Sequence, residues 1–262
     1  MNKLESLKDY IKNLGKVALA FSGGVDSTFL LKVCSDVLGK DAVAITIVSP
    51  YMPTWEMEEA KELTKKFNIR HEFVEVGIPE NIKYNPADRC YLCKKQVFTL
   101  VKNKAEEFGI KYLIDGTNLD DTKDYRPGMM ALKELQVKSP LLDLGFTKAD
   151  IRMYSKELNL ETWSKPAYAC LLTRLQVGDE ITEEKVRRIE NSERFMFSLG
   201  LTGIRVRSHG DLARIEVQPN DREKLFNTEI LDKISNKLKE FGFNYVTLDM
   251  GGYKMGSLNK EK

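Results

Sequence analysis

The step from Lys16-Val17-Ala18-Leu19-Ala20-Phe21 into Ser22-Gly23-Gly24-Val25-Asp26-Ser27-Thr28 constrains this chain more than any other feature. An apolar, strand-like run stops at two glycines. A helical pattern follows at once, with Leu30, Val33, Cys34, Val37 and Leu38 at three-to-four spacing. Glycines let the backbone turn tightly and expose its N–H groups, and the helix aims its positive end at the same spot. Such a corner is a site for an anion, and a nucleotide phosphate suits it best. The loop lacks the lysine that completes a Walker A sequence, so a γ-phosphate cradle of that kind is not indicated. An ordinary strand–turn–helix corner needs neither the serines nor the aspartate.

Helical and strand-like patterns alternate through the first half. Leu4, Leu7, Ile11 and Leu14 form a helical stripe. Ala42–Val48 is a continuous apolar, β-branched run, as expected of a strand covered on both faces. Residues 56–67 read as a helix, 72–76 as a strand, 90–108 as a longer helix and 112–114 as a buried strand ending at Asp115-Gly116-Thr117-Asn118. This rhythm predicts an α/β fold with a doubly wound parallel sheet, in which ligands gather at the carboxyl ends of the strands. The Ser22 loop and the Gly116 turn both fall on that edge. After Cys170 the style changes. Residues 182–199 form a charged amphipathic pattern, 204–208 and 213–217 alternate around His209-Gly210-Asp211, 221–241 is helical and 245–248 strand-like. The expected division is a nucleotide-binding domain over 1–176 and a smaller α+β domain for substrate binding or oligomerisation over 177–262.

At 262 residues the chain can hold two such domains, and 42% hydrophobic with 31% charged residues is a folded composition. A formal net charge of +2 demands no nucleic-acid partner. No apolar stretch approaches the roughly 20 residues that span a bilayer. No apolar run follows the first lysine, as a secretory signal would require. A cytoplasmic location is therefore expected.

Four cysteines in a chain this long read as ligands or nucleophiles rather than a disulfide framework. Cys90-Tyr91-Leu92-Cys93 alone leaves a redox dithiol, a zinc site and iron–sulfur ligation open. Cys170 lies in Lys165-Pro166-Ala167-Tyr168-Ala169-Cys170-Leu171-Leu172-Thr173-Arg174, where Arg174 could favour a thiolate or bind a phosphate. Cys34 sits on an apolar helical stripe and is expected in the core. Zinc would want a fourth ligand. His71, before a strand, is expected to be exposed, which leaves His209 as the candidate. Three cysteines without an evident fourth ligand fit a 4Fe-4S cluster with one iron open to hold a hydrosulfide.

The combined pattern resembles the LarE family, ATP-dependent sulfur transferases of the pyrophosphate-loop superfamily that act in synthesis of the nickel-pincer nucleotide cofactor. The resemblance covers nearly the whole chain. It is carried by Ser22–Ser27, by Gly116-Thr117-Asn118 with Asp120-Asp121 and Asp124–Gly128, and by Lys165–Cys170. Arg205–Glu216 and Leu248–Ser257 complete it. It implies adenylylation of a carboxylate of a pyridinium dicarboxylate mononucleotide, release of pyrophosphate, and replacement of AMP by sulfur to leave a thiocarboxylate. In one branch the cysteine matching Cys170 attacks and gives up its own sulfur, becoming dehydroalanine. That branch lacks the Cys-x-x-Cys pair, so this chain resembles the cluster-bearing branch, with Cys90, Cys93 and Cys170 as ligands. A sulfide or other sulfur donor and a homo-oligomer are implied as well.

The expected roles follow from residue chemistry. Ser22, Gly23, Gly24 and Ser27, with a magnesium ion, stabilise the departing pyrophosphate; Asp26 is a magnesium ligand or a helix cap. Asn118 and Asp120 lie by the adenylate, and Asp124-Tyr125-Arg126 shape the rim. Arg205 and Arg207, two apart on a strand, share a face that suits a phosphate, and Glu193 could orient one of them. Lys94 or Lys95 could polarise the acyl group, and Trp55 and Trp163 are packing residues. Competing readings are a tRNA-thiolating enzyme, an amide synthetase of the NAD or GMP type, and a nucleotide-binding regulator that senses a cluster.

Overall fold

A computed structural model describes residues 2–123, 127–166 and 168–253. The chain divides into two compact units, Met1–Pro79 with Asp88–Tyr168 and Glu80–Ala87 with Ala169–Lys262. The expected boundary at 176/177 thus falls inside the second unit, and the short segment Glu80–Ala87 joins that unit too. Hydrogen bonds explain the excursion. Fully buried Asn85 donates from Nδ2 to the carbonyls of Leu175 (3.1 Å) and Gln176 (2.7 Å), and the Ile181 N–H donates to the Lys83 carbonyl at 2.7 Å. Long-range polar anchoring of this kind leaves no periodicity to read.

The first unit runs α1 (Lys3–Leu14), β1 (Val17–Ala20), α2 (Val25–Leu38), β2 (Ala42–Val48), α3 (Thr54–Lys66), β3 (Arg70–Glu75), α4 (Arg89–Glu107), β4 (Tyr112–Ile114), α5 (Gly128–Glu134), α6 (Pro140–Asp143) and α7 (Lys148–Glu157). Its sheet is parallel with strand order β3-β2-β1-β4. Side chains alternate across the central strand. Val17 and Leu19 pack with residues of α1, α2 and α7, whereas Ala18 packs with Phe98, Val101 and Ala105 of α4. Both faces are covered, and every residue of β2 but the last is buried. Phe29 stacks within 6.2 Å of Tyr154 and 5.8 Å of Phe146. Full burial of a Phe side chain stabilises by roughly 1.5–3 kcal/mol. That aromatic cluster fixes α2, and with it the loop at its start.

The second unit contains α8 (Glu183–Ser198), β5 (Arg205–His209), β6 (Leu212–Glu216), α9 (Thr228–Glu240) and β7 (Tyr245–Leu248). β5 and β6 pair antiparallel around Gly210, whose φ of 57° suits a residue without a Cβ. β7 then pairs parallel to β6. Thr182 caps α8 by accepting from the Lys185 N–H. α9 starts at Thr228, later than the expected 221. Two 3₁₀ turns, Pro219–Asp221 and Glu223–Leu225, come first, and Asn227 caps the helix. The Asp221 carboxylate is held by the Thr202 N–H (2.8 Å) and hydroxyl (3.0 Å), so this stretch answers to tertiary contacts rather than to helix propensity. Among the described residues no helix is long and apolar enough to cross a membrane.

Candidate active site

β1 ends at the carboxyl edge of its sheet and hands the chain to Ser22–Ser27. Gly23 turns with φ of 70°, a backbone conformation that favours glycine, and a Cβ there would lie in ordinary contact with Ala60 and the Glu56 carbonyl of α3 at 3.5 Å. Gly24 is the N-cap of α2 and offers no side chain, so the first N–H groups of the helix are not capped from within it. Ser22 Oγ accepts from the Gly24 N–H at 3.4 Å and lies 3.1 Å from Ser27 Oγ, which donates to the Gly24 carbonyl at 3.2 Å. The two serines thus brace the turn from inside. Asp26 stands in the first turn of α2, past the cap position. One of its oxygens, Oδ2, pairs with Lys148 of α7; the other, Oδ1, is buried and has no hydrogen-bond partner. Burial raises the Asp26 carboxyl above its ordinary value, against the pull of Lys148. A buried, half-satisfied carboxylate beside a loop of N–H groups fits a magnesium ion bound with phosphates.

The turn after β4 closes on the same point. A Cβ on Gly116 would meet the Ser27 N at 3.0 Å and the Asp26 backbone at 3.2 Å, tight enough that the two turns would have to give by a few tenths of an ångström. Asn118 is 1% exposed; its Oδ1 accepts from the Asp120 N–H at 2.9 Å while its Nδ2 is buried without a partner. Asp121 closes the cap by accepting from the Asn118 N–H at 3.0 Å. Asp120 accepts from the Lys148 backbone at 2.7 Å and from Lys123 at 2.6 Å. Asp120 and Asp121 thus organise the turn and the start of α7. Asp124, Tyr125 and Arg126 lie outside the described residues.

Two lysines reach this loop from far along the chain. Lys148 meets Asp26, and Lys165 donates to the Gly23 carbonyl at 3.1 Å while pairing with Glu59 of α3. The sequence reading assigned neither. The missing Walker A lysine was the signal that a cation had to come from elsewhere.

Cys90 and Cys93 lie one turn apart at the start of α4. Cys90 is exposed; Cys93 is half-buried with its Sγ 3.4 Å from the Tyr51 hydroxyl. Burial raises the Cys93 thiol, the Tyr51 hydrogen bond opposes this, and Cys90 adds to it. Three residues apart on one helix, the two thiols share a face of α4. Lys94 carries its stem across Gly128, with its ammonium 5.5 Å from the Phe98 ring centre. Lys95 is held by Glu134 at 2.8 Å and Tyr91 at 3.1 Å. Cys34 is sealed in the core, as expected. Among the described residues no group of three or more His, Cys, Asp or Glu side chains stands ready to hold a metal ion. A cluster held by the first unit alone does not fit, because that unit offers only two accessible thiols.

In the second unit Cys170 is exposed and immediately precedes a 3₁₀ turn, Leu171–Arg174. Arg174 is 2% exposed and makes a two-pronged pair with Glu193, at 2.8 and 3.0 Å; its Nη1 donates to the carbonyls of Ala169 (2.8 Å) and Cys170 (3.2 Å). Its guanidinium clamps the backbone at Cys170 instead of reaching out for a phosphate. Arg207 likewise forks onto Glu216, at 2.5 and 2.8 Å, and donates to the Thr173 carbonyl at 2.8 Å. Arg205 shares its strand face; it lies over Tyr253 at 4.8 Å, and burial lowers its pKa. Glu193 takes the fork of Arg174, accepts from the Val206 N–H at 3.0 Å and also attracts the Arg205 guanidinium.

Three further expectations change. His71 is half-buried within β3, with Nε2 2.7 Å from Thr46 Oγ1 and Nδ1 2.9 Å from Thr64 Oγ1, and burial pushes its pKa down to about 4. Its two threonine partners come from β2 and α3, which sequence spacing does not link. Trp163 is 40% exposed, with the Lys156 ammonium 4.9 Å from its ring, so it is not a core residue. His209 ends β5 with a buried, unpartnered Nε2 and belongs to no metal-ready group among the described residues.

A parallel sheet with a double-glycine loop at its carboxyl edge, and an orphan carboxylate oxygen beside it, defines a pyrophosphate-loop ATP-utilising enzyme; residues 1–106 match the NAD synthase family. Over 263 residues the chain is 34% identical to the pyridinium-3,5-bisthiocarboxylic acid mononucleotide synthase of Lactiplantibacillus plantarum, covering 98% of this chain and 94% of that one. It is 42% identical over 261 residues to an uncharacterized protein of Synechocystis sp., covering 99% and 97%. An uncharacterized protein of Methanocaldococcus jannaschii is 34% identical over 249 residues, covering 95% and 94%. The chain belongs to the family of that synthase, the LarE family.

Proposed function

We propose that this protein is an ATP-dependent sulfur transferase that converts a carboxylate of a pyridinium dicarboxylate mononucleotide into a thiocarboxylate, in nickel-pincer cofactor synthesis. The observation that carries the reading is the Ser22–Ser27 loop with its half-satisfied Asp26, in a chain alike to the synthase over nearly its whole length. A substrate carboxylate oxygen attacks the α-phosphorus of ATP, and the bond to pyrophosphate breaks. The N–H groups at Gly23 and Gly24, with Ser22 and Ser27, take up the charge that moves onto the leaving group. Magnesium, held by Asp26, would neutralise phosphate charge there. A sulfur nucleophile then attacks the acyl carbon and the bond to AMP breaks. Asn118, through its unpartnered Nδ2, holds the adenylate side. Arg205 takes the substrate phosphate, Arg207 and Arg174, each forked onto a carboxylate, hold the backbone around Thr173 and Cys170, and Lys94 polarises the acyl group.

The finer part of the proposal concerns the sulfur. Cys90 and Cys93 on one helical turn, with Cys170, would serve as the three ligands of a 4Fe-4S cluster whose open iron carries a replaceable hydrosulfide. The first unit's accessible thiols are Cys90 and Cys93. A cytoplasmic, homo-oligomeric enzyme supplied by a sulfide donor completes the reading.

The test is the mass of Cys170 after turnover, with pyrophosphate release followed in parallel. Unchanged mass through repeated turnovers is the expected result. A loss of about 34 Da, one hydrogen sulfide, would instead mean that Cys170 is sacrificed. Pyrophosphate release that ignores the pyridinium substrate would sink the whole assignment, and salt-sensitive tRNA binding would point to thiolation of RNA.

A further inference from the structure

The lysine at the loop does not face a carboxylate alone; it holds a backbone carbonyl. Lys165 Nζ donates to the Gly23 carbonyl at 3.1 Å, and its side chain is only 12% exposed. In a trans peptide the C=O and the following N–H point in opposite directions. Fixing the Gly23 carbonyl toward Lys165 therefore fixes the Gly24 N–H on the opposite side, where it meets Ser22 Oγ at 3.4 Å. A peptide between two glycines flips easily, because neither carries a Cβ to resist it. A flipped peptide would present an oxygen, not a donor, to an incoming phosphate.

Three further contacts hold the lysine and its target. Glu59 of α3 pairs with the ammonium. The next residue of that helix, Ala60, packs 3.5 Å from the position a Cβ of Gly23 would take. Arg152 of α7 fixes the lysine's own backbone, donating to the Lys165 carbonyl at 2.8 Å and the Trp163 carbonyl at 2.5 Å. We propose that Lys165 is a positioning residue: it locks the Gly23–Gly24 peptide so that the Gly24 N–H is presented to the pyrophosphate end of ATP. The inference rests on the reading that this loop receives that end of the nucleotide.

Calorimetric titration of the full-length protein with magnesium pyrophosphate and, separately, with AMP tests it. Lys165→Met should weaken pyrophosphate by about tenfold, as expected for losing an aligned donor to a charged group, and leave AMP within about twofold. Lys165→Arg, which keeps charge and donors, should restore most of the loss. Glu59→Gln separates positioning from direct attraction. If the lysine acts by orienting the peptide, loosening it weakens pyrophosphate. If it acts as a free positive charge, removing the nearby carboxylate strengthens binding and overturns the proposal. This variant also decides the matter should Lys165→Met not fold. Equal losses for pyrophosphate and AMP, or none, would likewise overturn it. Wild-type protein that binds neither ligand would defeat the loop's assignment itself, whereas wild-type binding with an unaltered Lys165→Met defeats only the role of the lysine.

Discussion

The loop edge of the first unit and the arginine-bearing sheet of the second treat charge in opposite ways. At the loop, polar groups are buried but left incomplete: Asp26 Oδ1 and Asn118 Nδ2 have no partner. In the second unit, arginines that looked like anion ligands are matched to internal carboxylates, Arg174 to Glu193 and Arg207 to Glu216, both pairs nearly solvent-free. Beside an anion-binding loop, an unpaired buried group costs stability and gives a ligand a place to complete the set. A buried, matched pair holds its own backbone in place and contributes specificity of structure before any ligand arrives. The lesson is that a cationic side chain reads as a binding group only after its internal partners are known.

The sharpest way to break this contrast is to remove one carboxylate from the second unit. Glu193→Gln leaves a buried guanidinium without its counter-charge and should destabilise by about 3–5 kcal/mol in a chemical denaturation curve. A cost under about 1 kcal/mol would mean that Arg174 had been available for a ligand after all. The matching change in the first unit should do the reverse. Asp26→Asn is expected to lower substrate-dependent pyrophosphate release by about 100-fold, the loss typical of a transition-state charge stabiliser, with melting little altered because Lys148 can turn to water. Equal damage to folding would erase the distinction between the two regions.

The smallest effect concerns His71, a completed buried site inside the first unit. Its folded pKa of about 4 lies below the ordinary 6.5. Between those values the unfolded chain binds a proton that the native state refuses, so stability falls as pH drops from about 6.5 toward about 4 and is unaffected above. His71→Asn should flatten the dependence of melting temperature on pH across that window. An unchanged slope would mean that the Thr46–His71–Thr64 contacts do not hold the neutral ring.

Much of the first unit was legible in advance. The strands 42–48 and 112–114 stand where periodicity and β-branching put them, and the double glycine sits at the carboxyl edge of its strand. The Gly116 turn reaches the same point, as the alternation of strands and helices requires. The pairing of Cys90 with Cys93 on one helical turn followed from their spacing. What was not legible shares one cause: partners that lie on other elements and meet only in the folded chain. His71 was expected at the surface because it was read as standing before a strand, while it lies within β3 and its environment comes from β2 and α3. The later start of α9 and the capture of Glu80–Ala87 by the second unit likewise depend on Thr202, Leu175 and Gln176.

Local pattern by itself determined the α/β architecture, the anion-binding corner and the cysteine pair, because helix and strand periods and glycine's freedom act within a few residues. Tertiary structure alone decided which charges face inward: Lys148 and Lys165 at the loop, Glu193 and Glu216 on the arginines. The physical reason is that electrostatic pairing and burial depend on distance in space, which the fold sets, and not on distance along the chain.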